Sequence, residues 1–249
     1  MTNNQHNKNL VLDFGNTLKK IAVFQAGELI HLKTYAKNSD SIMIKHIAKY
    51  GFNSNAIISS VIGISETFKK YLNENFNYLD FNHNTPLPVK IKYATPSTLG
   101  KDRLAAAVGA YNIFPNQNVL YINAGTCITF DFLNKKAKYI GGSISPGIIM
   151  RFKALHTLTK NLPLLSGTNQ LVELTGKTTE ASIKSGVMNG IIAETDGIIQ
   201  KYMTKYPDLK VIISGGDIHF FEKNLKSPIF AFPNLVLTGL NQILEYNVK

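Results

Sequence analysis

The chain has 249 residues, a formal net charge of +11 and a single cysteine, Cys127. That length carries one large domain or two ordinary ones with a substantial core. A composition of 44% hydrophobic and 17% charged residues excludes a disordered chain, and one cysteine excludes an intramolecular disulfide or a cysteine-based zinc cluster. No apolar run reaches the ~18 residues that span a bilayer. The polar start MTNNQHNKNL lacks the apolar core of a signal peptide, so residues 1–8 read as a disordered tail on a cytoplasmic protein with no membrane partner. The basic residues are scattered, in runs no longer than pairs such as Lys19-Lys20, Lys69-Lys70 and Lys135-Lys136. Without a basic stripe interleaved with aromatics, this charge suits anionic small substrates better than nucleic acid.

Strands are expected at 10–14, 19–25 and 28–36, where apolar and β-branched residues and the turn at Gly27-Glu28 give hairpin spacing. Helical periodicity follows over 40–50, then a strand AIISSV at 56–61. SETFKKYLNENF reads as a polar helix with Ser65 as its N-cap. NTPLPVKIKYATPSTLG is rich in Pro and Thr, which restricts it to irregular chain or an edge strand. A helix begins at Lys101, with Leu104, Ala107, Val108 and Tyr111 on one face. After the turn-rich PNQN the pattern restarts, with strands at 119–123, 127–132 and 137–142. Helices dominate from about 145 to 205, a strand follows at 210–214, and GGD leads into another helix. LVLDFGNT aligns with LYINAGT, and each half opens with three antiparallel strands. The expectation is an internal duplication of a βββαβα unit, with a first domain over 1–114 and a second over 115–249.

In DFGNT a buried strand ends on a carboxylate, and a glycine then permits a tight reversal. Gly15, Asn16 and Thr17 offer backbone N–H groups and a hydroxyl to an anion lodged at the turn. Asp13 cannot bind phosphate itself; its use beside phosphate is to hold Mg²⁺. The competing reading is an Asx-type turn in which Asp and Asn only cap backbone. Three features favour the first reading. The hairpin recurs at Gly125-Thr126. A glycine pair, Gly215-Gly216, follows a buried strand and suits close approach of a nucleotide. GKDR, residues 100–103, opens a helix between the two hairpins. Two phosphate hairpins, a glycine pair and an acid resemble the plan of the actin, sugar kinase and Hsp70 superfamily. The implied fold is α/β: duplicated actin-like (ribonuclease H-like) ATPase domains, each a mixed sheet with flanking helices, with a cleft between them.

At these residues the sequence resembles the type III pantothenate kinases, bacterial enzymes of the first committed step toward coenzyme A. DFGNTLKK resembles the first phosphate motif, YATPSTLGKDR the Tyr-x-x-Pro-x-x-x-Gly-x-Asp-Arg segment and NAGTCITFD the second phosphate motif. GGSISPGI, GKTTEASIKSGVMNG and ISGGD complete the order. The resemblance implies ATP-dependent phosphorylation of pantothenate to 4′-phosphopantothenate by a homodimer using Mg²⁺ and a monovalent cation, K⁺ or NH₄⁺. It implies that Asp13, Phe14, Gly15, Asn16, Thr17, Leu18, Lys19 and Lys20 surround the ATP phosphates, with Asp13 on the Mg²⁺ side. Thr126 matches an ATP-contacting threonine, and Gly215 and Gly216 complete the nucleotide set. Asp102 matches the catalytic general base. Tyr93, Gly100, Lys101, Asp102, Arg103 and Thr179 match the pantothenate-binding residues.

Two positions depart from the family pattern. Asn123 stands where most members carry an aspartate serving the monovalent cation, which implies weakened binding there and a reduced potassium requirement. Lys101 stands where a small residue is usual, and a cation there would act on Asp102 if it faced the site. Plainer readings accompany each residue. Asp102 also suits a helix N-terminus, Arg103 an ion pair or an anion fork, Tyr93 strand packing and Thr178 or Thr179 a helix cap. His156 and His219 read as packing or surface residues. The alternative functions are a different small-molecule kinase on the same architecture and a non-catalytic regulatory relative. The presence of Asp13, Asp102 and Arg103 counts against the last.

Overall fold

The computed structural model describes residues 8–15, 17–36, 39–48 and 55–248. The elements run β1 (Lys8–Phe14), β2 (Leu18–Gln25), β3 (Glu28–Ala36), α1 (Asp40–Ala48), β4 (Asn55–Ser60), α2 (Glu66–Asn75), β5 (Asn77–Asp80), β6 (Lys90–Ile91) and α3 (Lys101–Ile113). They continue with β7 (Val119–Ala124), β8 (Cys127–Asn134), β9 (Lys138–Pro146), α4 (Ile148–Thr157), α5 (Thr179–Lys205), β10 (Lys210–Ser214), α6 (Ile218–Asn224), β11 (Phe230–Ala231) and α7 (Leu235–Asn247). Two compact units result: Met1–Asn112 with Leu235–Lys249, and Ile113–Asn234.

The duplication is visible strand by strand. The first unit's sheet has the order β3-β2-β1-β4-β5, antiparallel through β1, β2 and β3 and parallel from β1 to β4 to β5. The second unit repeats it as β9-β8-β7-β10-β11 with the same senses. Side chains alternate faces along a strand, so register decides what each unit can do. Leu10, Leu12 and Phe14 face the core built with Met43 and Ile47 of α1 and Phe68 and Leu72 of α2. Val11 and Asp13 therefore take the other face, the one on which Asn9 Nδ2 donates to Asn241 Oδ1 of α7 at 2.9 Å. In the second unit Leu120, Ile122 and Ala124 join Phe152 of α4 and Ile183, Val187 and Met188 of α5, leaving Asn123 on the opposite face.

Several expectations need correction. Lys8 is not part of a tail but the first residue of β1; residues 1–7 lie outside the described residues, as do the last two of the helix expected over 40–50. The second domain does not run to residue 249, because α7 packs on β1 and β4 and belongs to the first unit. The physical reason lies in small residues. A Cβ on Gly239 would sit 1.8 Å from the Ala105 carbonyl oxygen, and one on Gly109 2.5 Å from that of Leu235, so α7 and α3 approach backbone to backbone. That contact also buries Ala105, Ala106 and Ala110, so α3 is enclosed well beyond the single face its periodicity suggested. The helical stretch expected over 145–205 is broken: α4 ends at Thr157 and α5 starts at Thr179. The connecting chain carries Pro163, Gly167 and Gly176, and α5 satisfies its backbone through Ser185 Oγ donating to Leu174 O at 2.6 Å. Ser65 does cap α2, accepting from Phe68 N–H at 3.2 Å.

Candidate active site

The first hairpin places Asp13 opposite Lys20 and Phe14 opposite Lys19. Its turn closes with Gly15 N–H donating to Leu18 O at 3.0 Å; Asn16 lies outside the described residues. Burial pushes the half-buried Asp13 carboxyl up to about 6, Lys20 pulls it back down, and the Asp102 carboxylate adds to the rise. The Asp102 carboxylate of α3 thus acts on the Asp13 carboxyl of β1. A divalent cation relieves that condition, so the residues present fit Mg²⁺.

Asp102 sits in the first turn of α3, where the helix dipole favours a negative charge. Gly100 leaves room for it: a Cβ there would stand 2.5 Å from Asp102 Oδ1. Arg103 is buried, with its guanidinium 5.9 Å from the centre of the half-exposed Tyr93 ring. Gly100, Lys101, Asp102, Arg103 and Tyr93 therefore form one local group, of which Lys101 is half-buried at the helix start.

Two residues expected at the phosphates point elsewhere. Period-2 alternation sends Lys19 to the face opposite Lys20 and Asp13. There its ammonium pairs with Asp40 Oδ1 at 2.5 Å and lies 4.7 Å from the centre of the Phe14 ring. Asp40 also accepts from Ser65 Oγ at 2.6 Å, and its carboxyl lies below the usual range: burial opposes this, but the hydrogen bonds from Lys19 and Ser65 and the Lys19 charge prevail. Phe14 is core, edge-on to Phe68 at 5.3 Å. Only their backbones remain to serve a nucleotide. Thr17 and Leu18 are exposed at the turn.

The second hairpin is neutral where the first is charged. Asn123 faces Thr129 across β8 and Ser214 across β10, the places that Lys20 and Ser59 hold around Asp13. Among the described residues Thr129 Oγ1 is buried without a hydrogen-bond partner. An amide oxygen and that hydroxyl can ligate a monovalent cation, but they bring it no charge. Asp131 does not replace the missing carboxylate: it is fully buried opposite Tyr121, two positions along β8, where it accepts from Tyr139 Oη at 2.8 Å. Gly215, at φ 102°, packs so close that a Cβ would meet the Ala124 carbonyl oxygen at 2.1 Å. Gly216 has open space in front of it. Next to it Asp217, whose carboxyl is raised by burial, is an acid that motif reading passed over; its place directly after the glycine pair was the available signal. Thr179 is the first residue of α5, and Thr178 is the cap, accepting from Ala181 N–H at 3.1 Å. His156 Nδ1 is bonded to Leu162 O at 2.8 Å and His219 pairs with Glu222 at 3.6 Å.

A family model described as type III pantothenate kinase matches residues 9–201. The chain belongs to the type III pantothenate kinase family. A type III pantothenate kinase of Cytophaga hutchinsonii is 45% identical over 240 residues, spanning 96% of this chain and 100% of that protein. Among solved structures, a conserved Baf family transcriptional-activator candidate from Campylobacter jejuni superposes with a TM-score of 0.60 at 22% identity, over 96% of this chain and 98% of that one. A ROK family glucokinase from Streptomyces griseus, in complex with glucose and AMPPNP, gives 0.52 at 11% identity, over 96% and 100%. These two likenesses support the duplicated fold alone.

Proposed function

We propose that this kinase transfers the γ-phosphoryl group of ATP to the hydroxyl of pantothenate, giving ADP and 4′-phosphopantothenate, the first step toward coenzyme A. The observation that carries the reading is the family match over residues 9–201, beside which the Asp102 carboxylate of α3 acts on the Asp13 carboxyl of β1. Asp102 accepts the hydroxyl proton as the substrate oxygen bonds to the γ-phosphorus and the bond to the β-phosphate bridging oxygen breaks. The buried Arg103 supplies a fork for the pantothenate carboxylate, with Tyr93 alongside. Lys20, the Gly15–Thr17 backbone and Thr126 hold phosphate oxygens, and Gly215 and Gly216 leave room for the nucleoside. Asp13 would hold Mg²⁺, which supplies charge neutralisation on the β- and γ-phosphates.

The neutral Asn123 supports a reduced need for K⁺ or NH₄⁺. The exposed Ile149, Leu158 and Leu174 of the second unit, which flank the segment leading into Thr179, support a homodimer. Among the described residues no helix is long and apolar enough to cross a membrane. We place the enzyme in the cytoplasm, where ATP and pantothenate meet. A coupled ADP-release assay tests the reading. Pantothenate-dependent ADP release is expected, and its absence with and without K⁺ would overturn it.

A further inference from the structure

We infer that Arg151 is a positioning residue for the second phosphate hairpin, oriented by Glu194; the inference rests on the proposed use of Thr126 in holding ATP. Arg151 lies in α4, and its side chain reaches back past the helix start. Nε donates to Pro146 O at 2.9 Å, and Nη2 donates to Ser145 Oγ at 2.9 Å and to the Glu194 carboxylate of α5. One planar guanidinium therefore ties the end of β9 to the middle of a 27-residue helix.

The end of β9 is the backing of the hairpin. Ser145 and Pro146 pair with Ile128 and Cys127, the first residues after the Gly125-Thr126 turn. Gly147 N–H donates to Thr126 O at 3.1 Å, and a Cβ on Gly147 would stand 2.0 Å from Gly125 O. The turn thus rests directly on the Ser145–Gly147 backbone, which Arg151 holds through Pro146 O and Ser145 Oγ. Displacement of that backbone moves Thr126. The side chain is only 21% exposed, so water screens the pair little.

A fork is needed here, not only a charge. Lysine can keep the ion pair with Glu194 but cannot also donate to both Pro146 O and Ser145 Oγ in one plane. Arg151→Lys should therefore fold and melt like wild type while its KM for ATP rises about tenfold and its KM for pantothenate stays put. Glu194→Gln should shift the ATP KM the same way by less, and the double variant should fall short of the sum of the two singles. Calorimetric binding of ADP to each variant gives the same comparison without turnover. Unchanged ATP KM and ADP affinity in Arg151→Lys, or an equal rise in both substrate KM values, would overturn the inference. Failure of wild type to release ADP with pantothenate would instead overturn the proposed function, and the ADP titration would still decide the role of Arg151.

Discussion

Hairpin β1–β2 ends on Asp13 with Lys20 across from it; hairpin β7–β8 ends on Asn123 with Thr129 across from it. The first closes over four residues, Gly15 to Leu18, and the second over three, with Gly125 N–H donating to Cys127 O at 3.1 Å. Each is backed by a cation–carboxylate pair that also involves a serine: Lys19 with Asp40 and Ser65, Arg151 with Glu194 and Ser145. The scaffold was copied but the charge was not. One copy keeps a desolvated acid, Asp13, that also feels the Asp102 carboxylate, a combination suited to metal and proton chemistry. The other has a neutral amide and a hydroxyl, Asn123 and Thr129, at the positions of Asp13 and Lys20.

The sharpest way to break this comparison is at the acid pair. Asp102→Asn should lower turnover by about 10²–10⁴ while leaving the melting curve and circular dichroism unchanged; turnover near wild type would remove the general base. Asp13→Asn should also lower turnover severely, but it should stabilise the fold at high pH. Asp13 is raised from 3.8 to about 6, so the metal-free fold is favoured when this group is protonated, below 3.8, and loses that stability as pH rises through about 6. The neutral variant should therefore match wild type near pH 3.5 and exceed it at pH 8 by up to ~3 kcal/mol. Denaturant titrations at the two pH values measure the gap, and a constant difference would deny the buried charge.

The adjacent lysines test the alternation of faces. Lys20→Met should raise the ATP KM by about tenfold or more. Lys19→Met should leave kinetics nearly intact and cost ~1–3 kcal/mol of stability by stranding Asp40. The reverse pattern would mean that the register places the site on the wrong face. The smallest effect concerns the neutral copy. Replacing K⁺ by a bulky organic cation should change wild-type rates by less than about threefold, and Asn123→Asp should make the enzyme more dependent on K⁺. A strict potassium requirement in wild type would show that the amide and Thr129 hydroxyl suffice without charge.

Much of the first hairpin was legible because its chemistry is local. Strand, acid, glycine and hydroxyl occur within DFGNT, and GKDR marks a helix start with a dipole-favoured acid. The facing of Lys19 was equally available from alternation, but a pair of lysines after a phosphate motif invites reading both as ligands. Arg151 carried no such signal, since its partner Glu194 is 43 residues away and no spacing rule connects them. β5 and β11 were missed because they are four and two residues long and gain their strand character only from the neighbours they pair with.

By itself the sequence determined the duplicated order of strands, the asymmetry between Asp13 and Asn123, and the membership of the chain in its family. These depend on residue type and short spacing, which backbone sterics and hydrogen bonding convert directly into strands, turns and caps. Only the tertiary structure decided that α7 returns to the first unit, that Asp13 feels Asp102, that Asp131 is committed to Tyr139, and that Arg151 backs the second hairpin. Apart from the Asp131–Tyr139 bond, which spans one hairpin, those contacts join elements distant in the chain, and burial, which sets the strength of every charge in the site, exists only once they are packed together.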